Sequence, residues 1–336
     1  MSRIEDVAAA AGVSTATVSR ALRGLPKVSD ATRAKVLRAA HDLDYVASPT
    51  ASSLASGRTH VVGVVVPYVT RWYFAQLISG ASAELREQGF HVLLFDVGAE
   101  GPDRPLLLDS RMLFKRVDAV LVLSLRLHEA ERALLRRMAI PVITVGVPDP
   151  EWPCVRIDDV ATTVKATEHL VELGHRRLGY LGGGNVPPMS FPTPSDRARG
   201  FRETLDRHGL PVDPAMVVMG DWTAHSGYVE GRRLLSLPER PTGVVAASDE
   251  LALGFLAAAR DLGLSVPDDV SVVGIDDHEL AELYHLTTVA QPVTEQGRMA
   301  TRLLLQAVAG QPVGHDVSTV ATTLVVRGST APPPAC

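Results

Sequence analysis

Along the first 45 residues the apolar positions recur at helical spacing. Ile4, Val7, Ala8 and Ala11 stand at i, i+3, i+4 and i+7, which predicts one apolar face of a short helix, and Gly12 breaks it. Ser14 is placed to cap a second helix with Val13, Val18 and Leu22 on its buried side; Gly24 and Pro26 end it. Ser29 or Asp30 can cap a third, with Val36, Leu37, Ala40 and Leu43 turned inward. Three short helices with a glycine turn form a helix-turn-helix module whose second, exposed helix holds residues 14–22.

From residue 61 the period changes. The runs VVGVVVP (61–67), HVLLFD (91–96), DAVLVLS (118–124) and PVITVG (141–146) read as buried parallel strands. Helical patterns at 74–88 and 129–138 lie between them. A second series follows, with strands at 176–183, 243–249 and 269–277 and helices near 160–173, 197–208, 224–235 and 250–262. A late helix spans 292–310, and TLVVR (323–327) is a last strand. Alternating β and α over this length predicts two open, doubly wound α/β subdomains.

The second helix has an unusual surface. GVSTATVSRAL (12–22) carries short hydroxyls, methyls and a single charge, Arg20. Such a face can lie deep in a major groove. Thr15, Ala16 and Ser19 are short enough to approach base edges and phosphates, and Arg20 can fork onto guanine. A small helical bundle that binds another protein is the alternative. Charge favours nucleic acid: residues 1–58 carry a net +3, whereas the remainder carries −8. Residues 48–56, SPTASSLAS, pose a separate question. Ser48 as a cap and Pro49 at the first position allow one or two helical turns, but so short a helix is marginal alone, and a flexible linker fits the same composition.

The motif A11-G-V-S-T-A-T-V-S-R-A-L22 and the following VSDATRAKVLRAAHDLDYVASPTASSLASGRT resemble the head of lactose-repressor-type (LacI/GalR) transcriptional regulators. The resemblance continues through ATEHLVELGHRRLGYLGG, ASDELALGFLAA, VPDDVSVVGIDD and LTTVAQP. It implies an all-α helix-turn-helix head plus hinge helix, joined to a type I periplasmic-binding-protein-like α/β core of two doubly wound subdomains. The implied boundaries are a DNA-binding domain over 1–46, a hinge and linker over 47–59 and an effector-binding, dimerising core over 60–336. Within the core, one subdomain takes about 60–158 and 291–319, the other about 159–290 and 320–328. Thr15, Ala16 and Arg20 would read bases, Ser19 a phosphate, and Leu54 would wedge into the central base step of the minor groove with Ala51 letting two hinge helices approach. In the cleft, Arg197 would grip ligand hydroxyls or a carboxylate, Asp276 would accept from hydroxyls and Trp222 would stack on a sugar face, with Trp72, Tyr73, Phe74, Ser248 and Gln291 around them. There are two departures: Gly146 and Ser248 stand where the family often has an aspartate and an asparagine.

The resemblance therefore implies a repressor that binds a palindromic operator as a homodimer and answers to a small-molecule effector, expected to be a sugar. The alternative is a solute-binding receptor. An enzyme is disfavoured. LGGGN (181–185) follows a strand but lacks both G-x-G-x-x-G and the P-loop Lys-Ser/Thr. There is no G-x-S-x-G elbow and no metal-spaced His pair. ELGHRRLGY (172–180) reads as a loop entering a strand. No cofactor and no metal are expected. The two cysteines, Cys154 and Cys336, suggest no disulfide framework, no apolar run reaches the ~18 residues of a membrane span, and the opening residues do not read as a secretory signal. A cytoplasmic protein without membrane contact is the expectation. The C-terminal STAPPPAC has no leucine heptad, so no tetramerising helix is expected.

Overall fold

The computed structural model describes residues 2–45, 57–98, 108–184 and 191–334. The chain divides at His60 into a small head and a larger core.

The head is built from α1 (Ile4–Ala11), α2 (Thr15–Leu22) and α3 (Asp30–Asp42). Gly12 takes a left-handed φ of 66°, and the Val13 N–H turns back to the Ala8 carbonyl, so the chain leaves α1 sharply. The Ser14 and Ser29 hydroxyls accept from the N–H groups of Thr17 and Thr32 and fix the starts of α2 and α3. Val7, Val18 and Val36 form the fully buried centre. Arg33 locks α3 to the end of α2, donating to the carbonyls of Ala21 and Leu25 at 2.8 and 2.9 Å. One expected core residue is not inside: Leu37 is 50% exposed. The inward stripe runs Val36, Ala39 and Ala40, and Leu37 lies one residue, a rotation of about 100°, off it.

The core holds two sheets. The first, in spatial order β11-β5-β4-β3-β1-β2, is wholly parallel. Its strands are β1 (Val61–Val66), β2 (His91–Asp96), β3 (Ala119–Leu123), β4 (Val142–Val145), β5 (Cys154–Ile157) and β11 (Val317–Val320). The second, in order β12-β10-β9-β8-β6-β7, comprises β6 (Leu178–Gly183), β7 (Val217–Gly220), β8 (Gly243–Ala246), β9 (Ser271–Asp276), β10 (Thr287–Ala290) and β12 (Thr323–Val325). Only β12 runs antiparallel, against β10. The helices are α4 (Trp72–Glu87), α5 (Ser110–Leu113), α6 (Glu129–Met138), α7 (Asp159–Glu172), α8 (Thr193–Arg207), α9 (Ala224–Leu235), α10 (Asp249–Asp261), α11 (Glu279–Leu283) and α12 (Val293–Val308). Among the described residues the chain passes between the sheets three times: between β5 and α7, between β10 and α12, and between β11 and β12.

The strand series matches the hydrophobic runs, with one correction. HVLLFD is not a buried strand. It is the edge of the first sheet, Phe95 is its one buried residue, and Leu94 is 43% exposed. The polar-flanked short strands β5, β7, β10 and β11 carried too little apolar signal to be read. ELGHRRLGY is structural, as expected: the His175 ring bonds Thr242 and the Ala331 carbonyl, tying the C-terminal segment to the second sheet.

Two helix pairs meet backbone to backbone. A Cβ built on Gly80 of α4 would stand 2.0 Å from the Thr294 carbonyl oxygen of α12, and one on Gly254 of α10 would stand 2.0 Å from that of Ala224 in α9. Neither neighbour is a side chain that could swing away. Gly254→Ala is therefore expected to lower core stability by about 1–3 kcal/mol through forced separation of α9 and α10. Urea unfolding of the full chain checks this; a wild-type midpoint would show that the pair can slide without cost.

Candidate functional site

Parallel strands end on the same side, so their carboxyl ends converge. Between the two sheets of the core they line a cavity of about 120 Å³. Tyr68 follows β1, Ser124 follows β3, Gly146 follows β4, and Asp159 lies just past β5. From the second sheet come Trp222 after β7, Ser248 after β8, Asp276 at the end of β9 and Gln291 after β10. All eight residues singled out for the cleft, Trp72, Tyr73, Phe74, Arg197, Trp222, Ser248, Asp276 and Gln291, line this one cavity.

Arg197 is the centre of the charged wall. It lies in the second turn of α8, and Gly200 one turn on lets α8 press against α7, where a Cβ would meet the Val160 carbonyl at 2.5 Å. The buried guanidinium donates from Nε to Asp159 Oδ1 at 2.8 Å and from Nη1 to the Ala247 carbonyl. Nη1 also stands 3.8 Å from Asp276 Oδ1. Burial alone would lower the arginine's pKa, but Asp159 and Asp276 outweigh it and hold the group firmly protonated. Asp159 is shared further: Thr193 donates to it, and Arg156 lies 3.8 Å away. On the other flank Gln291 Nε2 donates to Asp276 Oδ1 at 2.5 Å while its own oxygen accepts from Gln296 at 3.0 Å.

Aromatic rings reach the cavity from both sheets. Trp72, Tyr73 and Phe74 form the first turn of α4 rather than the preceding loop. Tyr73 packs edge-on against Phe74 at 5.2 Å. Trp222 lies flat over Gly183, donates from Nε1 to the Gly184 carbonyl at 3.1 Å, and has the Arg197 guanidinium 5.8 Å above its ring. Among the described residues, contacts cross the cleft mouth, including an Arg71–Glu250 ion pair at 3.9 Å. Arg71 Nη1 donates to the Trp222 carbonyl at 2.9 Å, and the Trp72 ring sits 4.8 Å from that of His278. Trp72 Nε1 is buried and has no hydrogen-bond partner among the described residues.

Sequence reasoning missed Asp159, Arg156, Tyr68, Arg71 and Phe191 as lining residues. Asp159 gave no signal, because the short strand β5 that it follows was not legible and its partner Arg197 lies 38 residues on. In the head, Thr15, Ala16 and Arg20 are exposed on α2 and Ser19 is half-buried. Ala51 and Leu54 lie outside the described residues.

Residues 3–48 match the model of bacterial regulatory proteins, lacI family, and residues 167–330 match a periplasmic binding protein-like domain. The chain is 35% identical over 331 residues to the HTH-type transcriptional repressor CytR of Escherichia coli (strain K12), covering 97% of this chain and 96% of that one. The chain belongs to the lacI family of bacterial regulatory proteins. A lac repressor dimer bound to operator and the anti-inducer ONPF superposes with a TM-score of 0.87 at 29% identity, covering 98% of this chain and 99% of that one. The complex of the transcriptional regulator CelR with cellobiose gives 0.71 at 33% identity, covering 98% and 100%. The fold class inferred from the sequence holds, and the chain is a DNA-binding transcriptional regulator rather than a transport receptor. Among the described residues no helix is long and apolar enough to cross a membrane.

Of the two departures from the lacI-family pattern, the one at Gly146 has a local cause, and nothing in the structure explains the one at Ser248. Gly146 holds φ 82°, and a Cβ there would stand 2.6 Å from Ser124 Oγ and 3.6 Å from the Tyr73 hydroxyl. The phenol and the serine fill the space an acid would need; Tyr73 is hydrogen-bonded to Ser124, and burial pushes its pKa up. Ser248 caps α10, accepting from the Leu251 N–H at 3.3 Å.

Asp276 is itself strained, with φ 130°, and Asp277 follows at 59°. Such conformations cost about 1–3 kcal/mol each and persist where the surroundings over-determine them. Asp249, wholly buried behind the turn, is pushed up to about 7 by burial and by the charge of Asp276. Burial likewise pushes Asp276 up, to about 6, against the pull of Arg197 and Gln291. A carboxyl whose folded pKa lies above its unfolded one holds its proton more tightly when folded. Ionising Asp249 therefore costs stability as pH climbs from about 4 towards about 7. Asp249→Asn removes that cost. Relative to wild type, the variant is expected to gain stability between about pH 5 and about pH 8 in urea unfolding; a difference that stays constant would mean the carboxyl is already ionised at the lower pH.

Proposed function

We propose that this chain is a cytoplasmic repressor whose hold on operator DNA is set by a small polyol, most simply a sugar, in the cleft of its core. The observation that carries the ligand reading is the pairing of charged groups with aromatic rings in one cavity. Arg197, Asp159 and Asp276 offer charged donors and acceptors suited to hydroxyls, and the aromatic rings suit the C–H faces of the same molecule. The partnerless Trp72 N–H adds one more donor beside the cavity. Relatives support the class, since solved structures of lacI-family members hold cellobiose or ribose.

The exposed face of α2 supports the operator reading. Thr15, Ala16 and Arg20 would meet base edges and Ser19 a phosphate, while Ala51 and Leu54 of a hinge helix would enter the minor groove. Two copies would bind a palindrome, as the lac repressor dimer binds its operator. Boundaries near 46 and 59 would separate head, hinge and core, with the core subdomains dividing near 158, 290 and 319. Ligand control follows if the sugar binds one inter-subdomain angle better than the other, because a ligand shifts an equilibrium only by its differential affinity.

Selection of duplexes from a random pool by the full-length chain is expected to enrich a palindrome. Arg20→Ala should then cost about 1–3 kcal/mol at one symmetric base step, and Leu54→Ala should weaken binding at the centre of the site. Arg197→Lys should leave operator binding intact and abolish its response to sugars, because a lysine cannot satisfy Asp159 and the Ala247 carbonyl together. No enriched sequence would overturn the operator reading. A normal sugar response in the Arg197 variant would overturn the pocket.

A further inference from the structure

Asp249 does not line the cavity; it lies one layer behind it at the start of α10. Each carboxylate oxygen has one donor. Thr288 Oγ1, on β10, donates to Oδ1 at 2.7 Å, and the His278 N–H, in the turn after β9, donates to Oδ2 at 2.8 Å. Gly274 on β9 makes the room: a Cβ there would stand 2.0 Å from Asp249 Oδ1. The carboxylate is thus wedged against β9 two residues before Asp276 and bonded to the backbone two residues after it. Between these points run the two consecutive residues at positive φ, Asp276 and Asp277. The turn they make aims the Asp276 carboxyl at Arg197 and Gln291 and lays the His278 ring against Trp72 across the cleft.

We infer that Asp249 is a positioning residue of the effector site, whose carboxylate pins the Asp276–Asp277–His278 turn and so sets where Asp276 meets a ligand and where His278 meets Trp72. The inference rests on the reading of Asp276 as a ligand contact. Asp249 is faced by Asp276 and Asp277 from the β9 turn, by the His278 N–H beside them and by Thr288 from β10. Asp276 is faced by Arg197 from α8, Gln291 beyond β10, Glu250 from α10 and Asp159 from α7. Ionising either carboxyl of the Asp249–Asp276 pair opposes ionising the other. Asparagine can keep the geometry, accepting from the His278 N–H and donating to Thr288 Oγ1, while deleting the charge.

The test uses full-length protein with cellobiose and D-ribose as probes, titrated calorimetrically, together with the emission of Trp72 taken as wild type minus Trp72→Phe. Asp249→Ala is expected to lower affinity for the sugar that binds by about tenfold or more, the scale of one lost buried charge-assisted hydrogen bond, and to change Trp72 emission without any sugar. Asp249→Asn, which keeps an acceptor for the His278 N–H and a partner for Thr288 Oγ1, should restore both. Thr288→Val, which removes one anchor and keeps the carboxyl, should fall between. Wild-type affinity and emission in Asp249→Ala, or a failure of Asp249→Asn to recover either, would overturn the inference. If neither sugar binds wild type, the ligand class proposed above fails, and Trp72 emission in the three variants alone decides whether Asp249 holds the turn.

Discussion

A guanidinium buried between two carboxylates is the constraint around which the cleft is arranged. A guanidinium keeps its charge even out of water, and its burial here is compensated by Asp159 at 2.8 Å and Asp276 at 3.8 Å. The three residues come from α8, the start of α7 and the end of β9, so satisfying the arginine fixes the spacing of those elements. Gly200 permits the approach of α8 to α7, and Gly274 permits the carboxylate that holds the β9 turn. Both glycines are explained by where charge has to go.

The two subdomains share the work unequally. In the polar chain from Gln296 to Arg156, Asp276, Arg197 and Asp159 come from the second sheet's strand end and helices. Arg156 stands on β5 of the first sheet, and Gln291 and Gln296 lie at the crossover into α12 and on that helix. The first subdomain contributes mainly rings, concentrated in residues 68–74, and a neutral floor made by Tyr73, Ser124 and Gly146. With no acid at the end of β4, the acids beside Arg197 in the cleft are Asp159 and Asp276, and the first subdomain supplies apolar surface, Arg156 and the Arg71 contact at the mouth.

Much of this could be read in the sequence because the signals were local. Capping serines, an αL glycine and a strict i, i+3, i+4 stripe specify the head, and Leu37 failed only because an apolar residue adjoining the stripe was counted into it. Long β-branched runs announced the central strands. The edge strand β2 resembled them in composition, and only pairing order, a property of the whole sheet, decides which strand is half-exposed. Short strands such as β5 and β10 owe their existence to neighbours, so periodicity is silent about them. In the cleft, residues standing at strand ends were found where a motif drew the eye. Asp159 and Asp249 were missed as working groups because what distinguishes them is a partner 38 residues away in one case and 39 in the other.

The order in which the chain builds its two sheets has a consequence for synthesis. Val293, Ala300 and Leu304 of α12 belong to the core that covers β1, β3 and β4, and β11 closes the far edge of the first sheet beside β5. As the chain leaves the ribosome, the first four strands of that sheet emerge well over a hundred residues before the helix that shields them. The nascent protein must carry an unfinished apolar sheet face while the whole second subdomain is translated. Until α12 emerges, α4 alone covers part of that face, through Phe74, Leu77, Ala81 and Leu85.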